Sequence, residues 1–186
     1  MTTVEGFDRL RDEADPRRRR LLALGLLTRE LAPLGIEPIL VGGAALEFYT
    51  AGGYATHDVD LALPTGADVD AAFARLGFEK EGRFWHHAAL DLLFEAPAPA
   101  GLPGEDARRT EVDVEGLRIV VIGVEDLLID RLRAWVHWRS EEDSRWTRRL
   151  AGLHGDRLDW DYLRGRTREI PEEAAALQCL EVEFAP

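Results

Sequence analysis

Two aspartates stand two residues apart in a stretch whose other residues favour burial. Residues 56–63 read THDVDLAL, in which Val59 and Leu61 alternate with Asp58 and Asp60. Alternate residues of a β-strand point to the same side, so both carboxylates would project together, about 6.6–7 Å apart at Cα. Such a pair repels unless a cation lies between the groups or one is protonated. Mg²⁺ prefers oxygen ligands, so the pair predicts a metal site, with a solvated strand end or a turn cap as the alternative.

A third acid occurs in a later apolar stretch. Asp91 lies among leucines and a phenylalanine in AALDLLFEA (88–96), and Glu95 lies at the end of the same stretch. We rank Asp91 above Glu95 because it falls inside the predicted strand. Three inward carboxylates on adjacent strands can hold two metal ions about 3.5–4 Å apart, an arrangement that serves phosphoryl or nucleotidyl transfer. One of the acids could also help to deprotonate the attacking group.

Two glycines connect a short strand to a helix. The apolar segment EPILV (37–41) ends at Gly42 and Gly43, and a helical pattern follows. N–H groups at a helix N-terminus favour anions, and glycine lets a phosphate approach the backbone closely. A glycine pair after a strand is most often only a tight turn, so this feature alone leaves phosphate binding open.

Together these features resemble a known signature. The segment LVGGAALEFYTAGGYATHDVDLAL (40–63) is similar to the nucleotidyltransferase superfamily with the polymerase-beta-like fold. In that pattern a strand and a glycine turn open a helix, a strand with two alternating acids follows, and one more acid lies on a later strand. The spacing from Gly43 to Asp58 is most similar to that in the small bacterial nucleotidyltransferase-like proteins, including those allied to toxin–antitoxin nucleotidyltransferases. The strong match covers residues 40–63 and extends loosely to about 136.

The resemblance implies a function and a role for each matching residue. It implies transfer of a nucleoside monophosphate from an NTP such as ATP to an acceptor hydroxyl, with Mg²⁺ or Mn²⁺ as the metal. The implied metal ligands and catalytic residues are Asp58, Asp60 and Asp91, and the implied nucleotide-binding residues are Gly42, Gly43, Thr56 and Arg131. An antitoxin-like partner is a further expectation.

One position departs from the family pattern. Many members carry Ser or Thr directly after the glycines, with the hydroxyl on phosphate, whereas this chain has Ala44. Thr56, just before the acidic pair, is the hydroxyl considered for this role. The departure keeps a second hypothesis open, a nucleotide- or partner-binding module without turnover. A metal-dependent phosphohydrolase is a weaker alternative, since no nucleophile or histidine cluster for it can be placed.

The secondary-structure pattern predicts a mixed α/β part followed by helices. Leucines at helical spacing predict a helix over residues 17–32, with Gly25 inside it as an unfavourable residue. The predicted strands lie at 37–43, 57–63, around 82–86, around 89–94, near 111–114 and at 117–123, and the predicted helices at 44–53, 68–78, 124–138, 140–155, 158–168 and 171–181.

We therefore expect a small mixed sheet with a nucleotidyltransferase-like α/β (α+β) core over residues 1–123. A C-terminal helical extension over 124–186 would pack on it. The segment 97–116 is rich in Pro and Gly and reads as a loop that, with the C-terminal helices, could contact the acceptor.

Composition bounds the class of protein and its partners. The chain has 186 residues and a net charge of −12, so a small molecule or protein acceptor is favoured over RNA, although RNA stays open. The single Cys179 excludes an internal disulfide framework. No apolar run reaches the roughly 20 residues that span a bilayer, and we expect a cytoplasmic protein without membrane association. Its five tryptophans are more typical of packing than of base stacking.

Overall fold

The computed structural model describes residues 3–96 and 106–186. Residues 97–105, which make up the first half of the predicted loop, lie outside the described residues. Between 3 and 96, the helices are α1 Thr3–Arg9, α2 Pro16–Leu31, α3 Gly42–Tyr49 and α4 Ala67–Arg75, and the strands are β1 Ile39–Leu40, β2 Asp58–Ala62, β3 Glu79–Glu81, β4 Phe84–His87 and β5 Leu92–Glu95. From 106 onwards, they are β6 Arg109–Val114, β7 Leu117–Ile122, α5 Val124–Trp138, α6 Glu141–His154, α7 Trp160–Thr167 and α8 Pro171–Phe184.

The described strands form one mixed sheet in the order β3-β4-β5-β2-β1-β7-β6. Strand β2 lies near the middle, antiparallel to β1 and parallel to β5. Strand β1 pairs in parallel with β7 on its other side. The expected α/β class with a small mixed sheet is confirmed. Because β2 has a neighbour on each side, its alternate residues Val59 and Leu61 are almost fully buried.

The chain divides into two compact units, one made of residues 1–45 and 55–122 and the other of 46–54 and 123–186. The first, the sheet unit, contains all the described strands. The second, the helical unit, contains α5 to α8 together with the second half of α3. The division therefore falls inside α3, a feature that the sequence pattern did not indicate.

Aromatic side chains fill one part of the sheet unit's core. The rings of Phe73 and Trp85 stack 4.4 Å apart at an interplanar angle of 10°. Phe78 and Phe94 pack edge-on to Phe73, with ring centroids 5.3 and 5.9 Å from it. All four side chains are at most 5% exposed, so this cluster fixes α4 against the β4–β5 hairpin.

Helix α2 passes very close to β7 of the same unit. A Cβ atom built on Gly25 would lie 2.6 Å from the Cβ of Leu117, which is shorter than real contacts allow. The glycine that weakens the helical pattern in the sequence is therefore required by packing, since only a residue without a side chain lets helix and strand approach this closely.

The helical unit is held by a leucine core and by contacts to a buried carboxylate. Leu128, Leu132 and Leu163 are fully buried. Glu173 of α8, whose side chain is 1% exposed, lies 3.1 Å from the Arg133 Nε and 2.8 Å from the His137 Nε2 of α5. A buried carboxylate is tolerated only when it is paired in this way, so these contacts specify how α8 packs on α5.

Local signals determine several helix ends. The Ser140 hydroxyl accepts a hydrogen bond from the Asp143 N–H and so caps the start of α6. Gly77 follows the end of α4 with φ +86°, the conformation typical of a C′ glycine. At the start of α4, Gly66 occupies the N-cap position and Asp68 lies in the first turn.

Candidate functional site: a carboxylate cluster at the glycine turn

Three carboxylates of the sheet unit converge at one point. Asp58, Asp60 and Glu95 each offer an oxygen atom, and these atoms all lie within 4.8 Å of one another. The pairing of β2 with β5 explains the convergence. Asp60 and Glu95 are direct partners across the two strands, and Asp58 stands opposite Leu93, two residues earlier on each strand. The three side chains therefore share one face of the sheet.

Each carboxylate interacts with a different neighbour. The Thr56 hydroxyl donates to Asp58 Oδ1 at 2.5 Å. The Gly43 backbone N–H donates to Asp60 Oδ2 at 3.0 Å. The Arg83 Nε lies 2.8 Å from Glu95 Oε1. Carboxylates this close would repel one another without compensation, so these contacts stabilise the cluster.

The glycine turn lies directly against Asp60. Gly42 has φ +59°, and a Cβ atom built on it would overlap the Asp60 Oδ2 atom. Any side chain here would meet both a backbone penalty and a steric clash. The Val41 N–H also donates to the Asp60 backbone carbonyl at 3.0 Å, so strand β1, the turn and strand β2 form one structural block.

The expectation for Asp91 is wrong in its geometry. Asp91 does not lie inside a strand, because a short 3₁₀ turn over Ala88–Leu90 ends at it and β5 begins only at Leu92. It has the left-handed conformation with φ 51°. Its side chain is 75% exposed and lies 3.4 Å from His57 Nε2. Glu95, which sequence reasoning ranked lower, stands beside the aspartate pair instead.

A local signal could have ranked the two acids correctly. Asp is one of the few residues with a side chain that often adopts the left-handed conformation, so an Asp before a short apolar run can mark a turn as readily as a strand. The alternation of side chains could not distinguish Asp91 from Glu95 as the third acid. The two are four residues apart and would point to the same face of a continuous strand.

The other predicted nucleotide-binding residues are already engaged. The Gly43 N–H donates a hydrogen bond to Asp60, and the Thr56 hydroxyl donates one to Asp58. Arg131 belongs to the helical unit, where it lies 2.6 Å from Asp130 and 2.9 Å from Asp143. Burial opposes its charge, but these two acids outweigh it and raise the pKa of Arg131 above its usual value. The nucleotide roles of Gly42, Gly43, Thr56 and Arg131 stay predictions.

The donor set fits a hard divalent cation. Carboxylate oxygens are the ligands that Mg²⁺ and Mn²⁺ prefer, and soft thiolate or imidazole ligands do not take part in the cluster. Glu95 is 8% exposed, and the two aspartates are half-buried. The cluster is thus partly shielded from water.

Comparison with solved structures identifies the fold. The crystal structure of an antigenic nucleotidyltransferase-like protein from Paracoccidioides brasiliensis matches with a TM-score of 0.56 at 16% sequence identity, over 92% of this chain and 93% of that chain. The solution structure of the antibiotic-resistance factor ANT(2'')-Ia matches with a TM-score of 0.51 at 15% identity, over 84% of this chain and 94% of that one. No protein-family model and no curated protein matches the chain. At these identities the likeness defines a class by its fold, the nucleotidyltransferase-like fold, as the sequence pattern predicted.

Within residues 3–96 and 106–186, no helix combines the length and the apolar character that crossing a bilayer requires.

Proposed function

We propose that the protein is a metal-dependent nucleotidyltransferase. It would transfer a nucleoside monophosphate from an NTP to an acceptor hydroxyl, with Mg²⁺ or Mn²⁺ held by Asp58, Asp60 and Glu95. The observation that carries the proposal is the convergence of these carboxylate oxygens within 4.8 Å of one another, at a glycine turn, in a nucleotidyltransferase-like fold.

The chain's own groups have distinct tasks in this reaction. The carboxylates bind the cation, which would supply charge neutralisation at the phosphate oxygens and orientation of the reacting groups. The N-terminus of α3, which begins at Gly42, presents backbone N–H groups that favour an anionic triphosphate. Thr56 orients Asp58 through its hydroxyl, and Arg83 offsets part of the charge of Glu95.

The acceptor is left open among a small molecule, a protein side chain and an RNA end. The acidic net charge of −12 favours the first two. An association with an antitoxin-like partner, and a cytoplasmic location, belong to the same proposal and rest on the sequence resemblance alone.

A binding module without turnover is the second candidate. Ala44 lacks the hydroxyl that the family pattern places after the glycines, and the Gly43 N–H is already donated to Asp60. A triphosphate would have to compete for that donor. Retention of three clustered carboxylates argues for the enzyme, since a module that only holds nucleotide has no need of them all.

Nucleotidyl transfer can be tested directly. The protein is incubated with each α-labelled NTP, Mg²⁺ or Mn²⁺, and separate pools of RNA, protein and small metabolites. Asp58→Asn/Asp60→Asn is the matched control, because it removes two charges and keeps the side-chain volumes. Label that enters one pool with the wild type and not with the variant supports the enzyme and identifies the acceptor class. Nucleotide that is bound and never consumed would support the binding module.

A further inference from the structure

A groove in the helical unit is lined by three arginines and one tryptophan. It has a volume of about 690 Å³ and lies between the end of α5, the first half of α6 and the middle of α8. Its lining residues include Trp135, Arg139, Glu141, Ser144, Arg145 and Arg148. We call it the Arg–Trp groove. Its lining contains three guanidinium groups and one carboxylate, in a chain whose net charge is −12.

The arginines of the groove are available to a ligand. Arg139 is exposed and has no ion-pair partner in the part of the chain that the structure describes. Arg145 lies 3.9 Å from Glu142, and Arg148 pairs with Glu183. Exposed pairs of this kind contribute about 0–1 kcal/mol, so a phosphate can displace them at little cost.

One indole of the groove lies beside these charges. It belongs to Trp135, and the Arg148 guanidinium lies 5.7 Å from the centroid of its ring. Trp138 follows three residues later on α5, and its side chain is 80% exposed.

We propose that the Arg–Trp groove binds a nucleotide unit, with the base stacked on an indole and the phosphate on the arginines. Arginine suits phosphate because its planar group donates two parallel hydrogen bonds. Stacking of a base on an aromatic side chain contributes about 1–3 kcal/mol and does not depend on the base. The volume falls within the roughly 300–1,000 Å³ of small-molecule sites. The unit can come from a free nucleotide or from single-stranded RNA.

This inference is independent of the metal-dependent reaction. Every lining residue of the groove belongs to the helical unit, and every carboxylate of the metal cluster belongs to the sheet unit. Binding in EDTA therefore reports on the groove without the proposed metal site. Asp58→Asn/Asp60→Asn should bind as the wild type does under these conditions, so failure of one proposal does not imply failure of the other.

The test measures binding of two probes in EDTA. One is fluorescein-labelled single-stranded RNA of about ten nucleotides, within the range of known single-strand sites, and the other is ATP. The variant Arg139→Ser/Arg145→Ser should weaken binding by at least about tenfold, since a hydrogen bond to a charged group contributes about 1.5–3 kcal/mol. It should also reduce the slope of log affinity against log salt by about 0.7 for each RNA phosphate that the two arginines neutralise in the wild type.

Arg149→Ser is the matched control for Arg145→Ser made alone. Arg149 lies on the same helix as Arg145, is exposed, and does not line the groove, so its loss removes the same single charge at a different place. Binding of both probes supports a site for the nucleotide unit itself, and binding of RNA alone supports the RNA source. Absence of wild-type binding to either probe at millimolar concentration would overturn the proposal. An equal loss in Arg149→Ser would also overturn it, because the effect would then be general charge.

Discussion

At the scale of single residues, the site depends on how three carboxylates are compensated. Asp58, Asp60 and Glu95 each rely on a different donor: a hydroxyl, a backbone N–H and a guanidinium. Of these donors only the guanidinium carries a full charge. Arg83 therefore already supplies part of the electrostatic compensation that a bound cation would provide.

Loss of the Arg83 charge should strengthen metal binding. The substitution Arg83→Gln removes the guanidinium that pairs with Glu95. Mn²⁺ is then repelled by one positive charge fewer near its ligands. Because Arg83 is 63% exposed, the effect is modest, about two- to fivefold in the Mn²⁺ dissociation constant. Titration of Mn²⁺ by electron paramagnetic resonance measures it.

Arg75→Gln is the control for that titration, since Arg75 pairs with Glu30 on another part of the sheet unit. It should leave Mn²⁺ affinity unchanged. Weaker Mn²⁺ binding in Arg83→Gln would mean that Arg83 holds Glu95 in place for the metal and does not compete with it.

At the scale of elements, close approach between helix and strand decides which residues are tolerated. Gly25→Ala places a methyl group 2.6 Å from the Leu117 Cβ. Overpacking costs about 1–3 kcal/mol, while the better helix propensity of Ala returns about 1 kcal/mol. The free energy of unfolding, measured by urea denaturation, should therefore fall by about 1 kcal/mol, within a range of about 0–2 kcal/mol.

Gly165→Ala is the matched control, because Gly165 is an exposed helical glycine of α7 with open space around its Cβ position. There the propensity gain acts alone, and stability should rise by about 0.5–1 kcal/mol. Stabilisation by both substitutions would show that α2 can move away from β7 without penalty.

The end of β4 contains a histidine in an apolar setting. The His87 ring stacks on Phe7 with centroids 6.2 Å apart and meets Phe78 edge-on at 5.1 Å. Its Nδ1 is buried and has no hydrogen-bond partner among the described residues. This burial lowers the pKa of His87 below its usual 6.5.

Charged neighbours modify the same pKa. Arg11 and His86 lower the pKa of His87 further, while Asp8 and a backbone hydrogen bond raise it. Burial is the largest of these effects and decides the direction. The folded chain therefore binds the His87 proton less readily than the unfolded chain does.

Stability should consequently fall as the pH drops below about 6.5, because protons then bind the unfolded state in preference. The comparison is the free energy of unfolding of the wild type and of His87→Phe between pH 7.5 and 5.5. The wild type should lose more stability across this range, since the variant keeps the ring contacts and cannot titrate. His86 remains in both chains, so the difference belongs to position 87. If both chains lost the same free energy of unfolding over this pH range, His87 would become protonated in the folded state without a loss of stability.

At the scale of the whole molecule, the sequence was sufficient for the class of fold. The glycine turn and the alternating acids of residues 40–63 predicted a nucleotidyltransferase-like α/β core, and solved structures at 15–16% identity have that fold. The motif indicates the fold because its requirements are local. Gly42 needs both a positive φ and room for Asp60, and Val59 and Leu61 need burial between two neighbouring strands.

What the sequence could not predict depends on contacts between distant segments. Glu95, and not Asp91, lies beside the aspartate pair because β5 begins only after the short 3₁₀ turn that ends at Asp91. The second half of α3 joins the helical unit, and no periodicity within that helix indicates the division. The strand β3, Glu79–Glu81, was missed because its residues are all charged and exposed, which is unfavourable in most strands but tolerated at the edge of a sheet.

The central claim is that Asp58, Asp60 and Glu95 together bind a divalent cation, and a Mn²⁺ titration with three variants tests it most directly. Asp58→Asn and Glu95→Gln each remove a ligand and should weaken Mn²⁺ binding by about 100-fold or more, beyond the 10–100-fold typical of residues that only support a ligand. Asp91→Asn should stay within about twofold of the wild type, since an exposed group outside the cluster adds at most a weak surface interaction. If Asp91→Asn lost as much affinity as Glu95→Gln, or if neither changed it, the assignment of the cluster would be contradicted.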